Sequence, residues 1–260
     1  MDTESTISPS ARAKIRIRIK GIDYRMVDQC ASDIVASVTP TGARISGPFP
    51  LPSQIEVYRS ADQDEVRGHH RNIEIINSSA QTVDVMRRIN LPTGIEINIV
   101  APDEPVVPDP AAAPAKRNRR HDNRVLAMQF LCSWEVQRHT DMVTALFDLF
   151  SEREKPRDYF SFAEELIQGV IRDVTLIDEV IGKYAKNWAF ARIARVDLAI
   201  LRVAIFELMR RTDIPPVVSI NEAVDIAKEF STDESKRFVN GILDSYKEEL
   251  GRDPRKAEGN

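Results

Sequence analysis

Residues 101–115 read APDEPVVPDPAAAPA, and this stretch decides how the chain is built. Five prolines fall in fifteen residues, and Val106 and Val107 are the only sizeable apolar side chains. Such a segment cannot build a core; it makes a semi-rigid polyproline-like spacer. At ~3.1 Å per residue it reaches roughly 45 Å when extended. The chain is therefore expected to hold two modules, 13–100 and 116–250, with disordered tails at 1–12 and 251–260.

Upstream of the spacer, KIRIRIKG alternates Ile15, Ile17 and Ile19 with Lys14, Arg16, Arg18 and Lys20, the period of a half-buried strand. Val27, Cys30, Ile34 and Val38 then share one helical face, and Pro40 and Gly42 end the helix. A short strand is expected at Ala43–Ser46, irregular chain through GPFPLP (47–52), and strands at Ile55–Tyr58 and Asn72–Asn77. Ser78 with Gln81 reads as a capping box opening a helix to about Asn90. After LPTG, the alternating Ile95, Ile97 and Ile99 give a last strand. The order β-α-β-β-α-β is a split βαβ arrangement: one antiparallel sheet with two helices on one face.

Downstream, no convincing strand appears. Ile177, Val180, Ile181, Tyr184 and Trp188 follow a helical period. RVDLAILRVAIFELMRR (195–211) is apolar nearly all round and reads as a central buried helix. Ser219 with Glu222, and Ser231 with Glu234, have capping-box spacing, each expected to open a helix. Six or seven helices packed as a bundle are expected, so the fold class is α+β followed by all-α.

Composition narrows the function. Lys plus Arg number 11 against 10 acids in 13–100, and 21 against 23 in 116–250. Neither module is a general polyanion binder, so nucleic-acid contacts have to come from local clusters. No apolar run is long enough to span a bilayer, and the polar start MDTESTISPS lacks a signal-peptide core. Cys30 and Cys132 fall in different modules and are expected to be free thiols in a reducing cytoplasm. No phosphate-binding glycine loop, nucleophile elbow or metal-spaced Cys/His set is present, which points away from an enzyme, a cofactor or a metal.

The motifs KIRIRIKGIDYRMVDQ, TGARISGPFPLP and TVDVMRRINLPTGIEI resemble, in order, the tenth small-subunit ribosomal protein, also called NusE. RVLAMQFLCSW, RVDLAILRVAIFELMRR, INEAVDIAKEF and FVNGILD resemble the NusB family. The resemblance implies a NusB–NusE heterodimer written as one polypeptide. It further implies binding of boxA-like single-stranded RNA and help for RNA polymerase, with NusA and NusG, in reading through terminators. Two rival readings stay open: a ribosomal small-subunit protein variant with a helical appendage, and a subunit of an RNA-modifying enzyme.

Lys116, Arg117, Arg119, Arg120 and Arg124 put five cations in nine residues, opposed only by Asp122. Alone this is a solvated charge run; with the resemblance it becomes the expected RNA phosphate contact. Lys14, Arg16, Arg18, Lys20 and Arg44 are expected on solvated faces, and His69 and His70 at the surface. Glu234 is expected as a capping acid and, by resemblance, as a NusB–NusE contact. Asp197 matches another NusB acid near that surface, or is a satisfied polar group on a buried helix. Cys132 stands where NusB commonly has Tyr, which weakens an aromatic contact there. The positions matching the NusG-docking Met and Asp of NusE are Arg87 and Glu96, so the Met is lost. Between Tyr58 and Val66 only RSADQDE intervenes, too short and acidic for the long ribosomal loop of that family.

Overall fold

The computed structural model of the chain describes residues 14–57, 65–100, 118–138, 141–151, 155–185 and 188–258. The proposed spacer, Lys116, Arg117 and most of RSADQDE lie outside the described residues.

The first module runs β1 (Lys14–Gly21), α1 (Tyr24–Val38), β2 (Arg44–Val57), β3 (Glu65–Ile76), α2 (Ala80–Arg87) and β4 (Ile95–Val100). The strands form one antiparallel sheet in the order β2-β3-β1-β4. Ile17 and Ile19 of β1 and Ile73 and Ile75 of β3 pack under Val27, Cys30, Ile34 and Val38 of α1. Asp23 starts α1, its carboxylate accepting from the Arg25 N–H at 2.8 Å. One residue beyond expectation, Ser79 with Thr82 forms the capping box of α2, which stops at Arg87.

GPFPLP is not irregular: β2 continues through it, with register shifts at Ser46/Phe49 and Leu51/Gln54. Proline lacks the N–H of a ladder, but bulges and an edge position tolerate that. Gly47 sits at φ +99°, and a Cβ there would come within 2.5 Å of the Asn72 carbonyl oxygen. The histidines are also interior: His69 and His70 are 4% and 7% exposed. They belong to the middle of β3, a strand paired on both sides. The β1 cations are half-buried, because Lys14 and Arg16 lie against Glu74 across the ladder, at 3.1 and 2.8 Å.

The second module is helical among the described residues: α3 (Arg119–Gln137), α4 (Met142–Ser151), α5 (Ser161–Arg172), α6 (Val174–Tyr184), α7 (Arg195–Arg210), α8 (Pro216–Phe230) and α9 (Ser235–Glu249). Every residue of α7 from Val196 to Leu208 is buried, so the bundle is built around it. Gly169 of α5 lies flat against the Phe206 ring, leaving no room for a side chain.

Both expected caps in this module are corrected. Pro216 opens α8, so Ser219 is already inside the helix and donates to Glu207 at 2.6 Å. Glu234 precedes α9 without a side-chain cap; Thr232 accepts the Ser235 N–H at 3.2 Å instead. Trp188 lies beyond the end of α6 and is half exposed. Residues 251–258 are no loose tail: Arg252 donates to the Leu208 carbonyl, Val217 N–H to Pro254, and Glu258 N–H to Thr212.

Candidate nucleic-acid interface

The two modules meet along the free edge of β2. Backbone carbonyls there have no further strand, so they need other donors. Helix α3 supplies them from one stripe at i, i+4 and i+8: Gln129 donates to Pro50 O at 2.8 Å, and Ser133 and Gln137 to Gly47 O. Farther along, Ser53 donates to Glu229 O at 2.8 Å, and Arg67 reaches Lys228 O and Asp233, each at 2.9 Å. Phe49 packs into the bundle core and Val136 against the sheet-module core.

Beside this edge, Arg71 (2% exposed) holds Asp28 of α1 at 2.7 Å. Arg195, opening α7, donates to Asp28 O at 3.0 Å and Ser32 Oγ at 2.7 Å, tying α7 to α1. Burial pushes the His69 imidazole down to about 4, with the Arg71 charge adding to the effect. The Cys132 thiol, near Arg195 O, is lifted by burial to about 12.

Asp197 is 5% exposed, and its Oδ2 accepts from Ser235 at 2.7 Å. Its Oδ1 is buried with no hydrogen-bond partner. Burial raises this carboxyl above the ordinary carboxylate range, hydrogen bonds from Ser231 and Ser235 oppose that, and the Asp28 charge adds to it. Asp197 and Glu234 both line a crevice of about 290 Å³ at the module boundary, opposite Asp23, Tyr24 and Arg25 of the sheet module. Trp188, Arg192 and Phe238 also line it. The sequence assigns Asp197 and Glu234 to this junction but not Tyr24, Arg25, Trp188, Arg192 or Phe238, because helical periodicity drew Trp188 into α6; the available signal was cation beside aromatic in Tyr24–Arg25 and again in Trp188–Arg192.

At the far end of α7 the arginine run divides. Arg124 is a correction: it is 3% exposed, and its guanidinium engages Glu207 through Nε at 2.7 Å and Nη2 at 3.0 Å. It faces inward because α3 is buried continuously from Asn123 to Trp134. Arg119 is exposed, yet it donates to Tyr159 O, Asp158 O and Ser161 Oγ. Arg120 is also exposed, at 52%, with Asp213 at 3.7 Å and the Phe162 ring 5.3 Å away. Asn118 caps α3 through the His121 N–H at 2.7 Å. Arg87 ends α2 and Glu96 stands on β4, 4.0 Å from Lys20; both are exposed. Among the described residues no His/Cys/Asp/Glu group is placed to hold a metal, and no helix is long and apolar enough to cross a membrane.

A split four-stranded sheet module with a helical bundle seated on its β2 edge defines a two-module protein whose halves have separate relatives. Residues 121–248 match the NusB family, and residues 16–100 match the family of ribosomal protein S10p/S20e. The chain belongs to the NusB family and carries an S10-type, NusE-like domain at its N-terminus. Transcription antitermination protein NusB of Geotalea uraniireducens is 45% identical over 132 residues, 48% of this chain and 91% of that protein. The protein of the same name from Thermodesulfovibrio yellowstonii is 42% identical over 142 residues, 51% of this chain and 94% of that one. Among solved structures, T. maritima NusB aligns with TM-score 0.47 and 34% identity, over 52% of this chain and 94% of that chain. A structure of antitermination factors NusB and NusE in complex with dsRNA aligns with TM-score 0.46 and 23% identity, over 50% of this chain and 97% of that chain.

Proposed function

We propose that this chain is a transcription antitermination factor: a NusB–NusE pair in one polypeptide, with modules 13–100 and 116–250 joined by the spacer 101–115. It binds boxA-like single-stranded RNA and assists an elongating RNA polymerase, together with NusA and NusG, in the cytoplasm. The observation that carries this reading is the docking of an S10-type module on a NusB-family bundle through the buried polar edge of β2 and the Arg195 tie between α7 and α1. A short tether holds such partners at about millimolar effective concentration, so even a modest interface stays closed. In this reading RNA phosphates meet Lys116, Arg117, Arg120 and the outer part of Arg119, while Arg124 contributes only to the fold. Asp197 and Glu234 face the module junction, at the opposite end of α7 from that cluster. Arg87 and Glu96 are the positions at which NusG would dock, with affinity reduced by the lost Met. No catalytic step is assigned to the chain.

The test is in vitro transcription through an intrinsic terminator, with purified RNA polymerase and the other Nus factors. Adding the chain should raise read-through on a template encoding a boxA-like element and leave a boxA-deleted template unchanged. Equal read-through on both templates would overturn the proposal, and incorporation of the chain into small ribosomal subunits would favour the ribosomal alternative.

A further inference from the structure

We propose that the sheet module acts on the bundle as a helix cap, and that Arg67 is thereby a positioning residue for the first turn of α3. Helix α8 ends at Phe230, and the last carbonyls of a helix have no partner within it. Two of them are met from the other module. The Ser53 hydroxyl donates to Glu229 O at 2.8 Å, and Arg67 Nη1 donates to Lys228 O at 2.9 Å. The same Nη1 donates to Ser53 Oγ at 2.7 Å, and Nη2 reaches Asp233, just past the helix, at 2.9 Å. A guanidinium at this place also meets the negative end of the α8 dipole. Arg67 pairs with Ile55 close to the outer end of the β2–β3 ladder, so the cap arrives only with a docked sheet module.

The capped turn has a second contact. Glu229, whose carbonyl takes the Ser53 hydroxyl, turns its carboxylate toward His121 of α3, with Oε2 4.0 Å from Nε2. Glu222, two turns earlier on the same face of α8, lies 3.0 Å from His121 Nδ1 and 3.5 Å from Arg124 Nη1. Helix α8 thus grips the start of α3 with two carboxylates, and the second of them sits in the turn that the hairpin caps. The other anchor of α3 is internal to the bundle: Tyr159 Oη donates to Asp122, Asn123 Nδ2 donates to Tyr159 O, and Asn123 Oδ1 accepts the Ala163 N–H. The α8 anchor differs because it depends on donors supplied across the module junction. A helix end without its cap frays, and a frayed last turn of α8 releases Glu229 from His121. That turn is the element with two states, and docking biases it toward the ordered one. Arg119 and Arg120 immediately precede His121, so the state of α8 is passed to the exposed cations of the cluster. Only this last consequence rests on the RNA reading above; the relay itself does not.

The test is hydrogen–deuterium exchange on the full chain, comparing the wild type with Arg67→Ala, Arg67→Lys and Ser53→Ala. In Arg67→Ala the amides of residues 228–231 should exchange about tenfold faster, because a charge-assisted hydrogen bond no longer holds that turn. The amides of residues 122–124 should follow by about threefold, with α5 and the middle of α7 unchanged. Arg67→Lys keeps a cation and donors at the helix end and should restore most of the protection at both places. Ser53→Ala, which deletes a single hydroxyl, should move the same amides by less. In titrations with boxA-like RNA, Arg67→Ala should weaken binding about threefold and leave the salt slope as in the wild type, since no phosphate contact is removed. A slope lower by about 0.7 would make Arg67 an RNA ligand and overturn its positioning role. Unchanged exchange at 122–124 beside faster exchange at 228–231 would overturn the relay, and so would faster exchange spread evenly through the bundle, which marks a loss of stability at large. Failure of the wild-type chain to bind RNA would sink the functional reading, while exchange still decides the relay.

Discussion

Replacing Arg124 with Ala separates two roles that the sequence alone assigns to one residue. Its guanidinium meets both oxygens of Glu207, itself 1% exposed, and lies 3.5 Å from Glu222. Removing it strands a buried carboxylate whose other donor is the Ser219 hydroxyl. Breaking a buried pair from one side costs about 3–5 kcal/mol, because the surviving charge is left uncompensated. At roughly 2–4 °C per kcal/mol for a chain of this size, Arg124→Ala should lower the unfolding temperature by about 6–20 °C. The pair Arg124→Met with Glu207→Leu removes both charges and should recover most of that loss. Differential scanning calorimetry or circular dichroism melts read the stability, and RNA titrations at several salt concentrations read the phosphate contacts. At temperatures where the double variant is folded, its salt slope should match that of the wild type. A variant that melts like the wild type but loses about 0.7 from the salt slope would refute the inward assignment.

Arg120→Ala, by contrast, should leave the melting temperature nearly unchanged and reduce the salt slope of single-stranded RNA binding by about 0.7 if it meets one phosphate. His69 has an ordinary value near 6.5 and about 4 in the fold, so the unfolded chain binds the extra proton between those limits. Stability should therefore fall as pH drops from about 6.5 to about 4, by up to roughly 3 kcal/mol; urea unfolding at pH 7 and pH 4.5 should show a smaller difference in His69→Gln. Gly169→Ala would drive a methyl group into the Phe206 ring and should destabilise the bundle by about 1–3 kcal/mol in thermal melts. Ending the chain at Leu250 removes the hydrogen bonds of residues 252–258 to Leu208, Thr212 and Val217 and should cost about 1–3 kcal/mol; an unchanged melt would mean that this segment does not hold the ends of α7 and α8.

The period of the apolar residues made most of the fold legible. Ile15, Ile17 and Ile19 announce β1, and the unbroken apolar run of 195–211 announces the buried α7. Failures came where a local rule met a tertiary partner. Prolines 48, 50 and 52 argue against a strand, yet β2 persists because α3 supplies donors to the edge carbonyls. Ser219 and Glu222 have cap spacing, but Pro216 had already opened the helix, and Glu207 and His121 claim the two side chains. Arg124 looks like its neighbours in a list of charges; only its phase on α3 turns it inward. The crevice was the least legible part, since its walls come from residues more than 160 positions apart and exist only when the modules dock.

The central claim is that one docked chain recognises boxA-like RNA. Its most direct test is the equilibrium affinity of the full-length chain for a boxA-like single-stranded RNA against a scrambled RNA of equal length and composition, at physiological salt. The account predicts tighter binding of the boxA-like strand by tenfold or more, which is about 1.4 kcal/mol. Equal affinities for the two strands would contradict it.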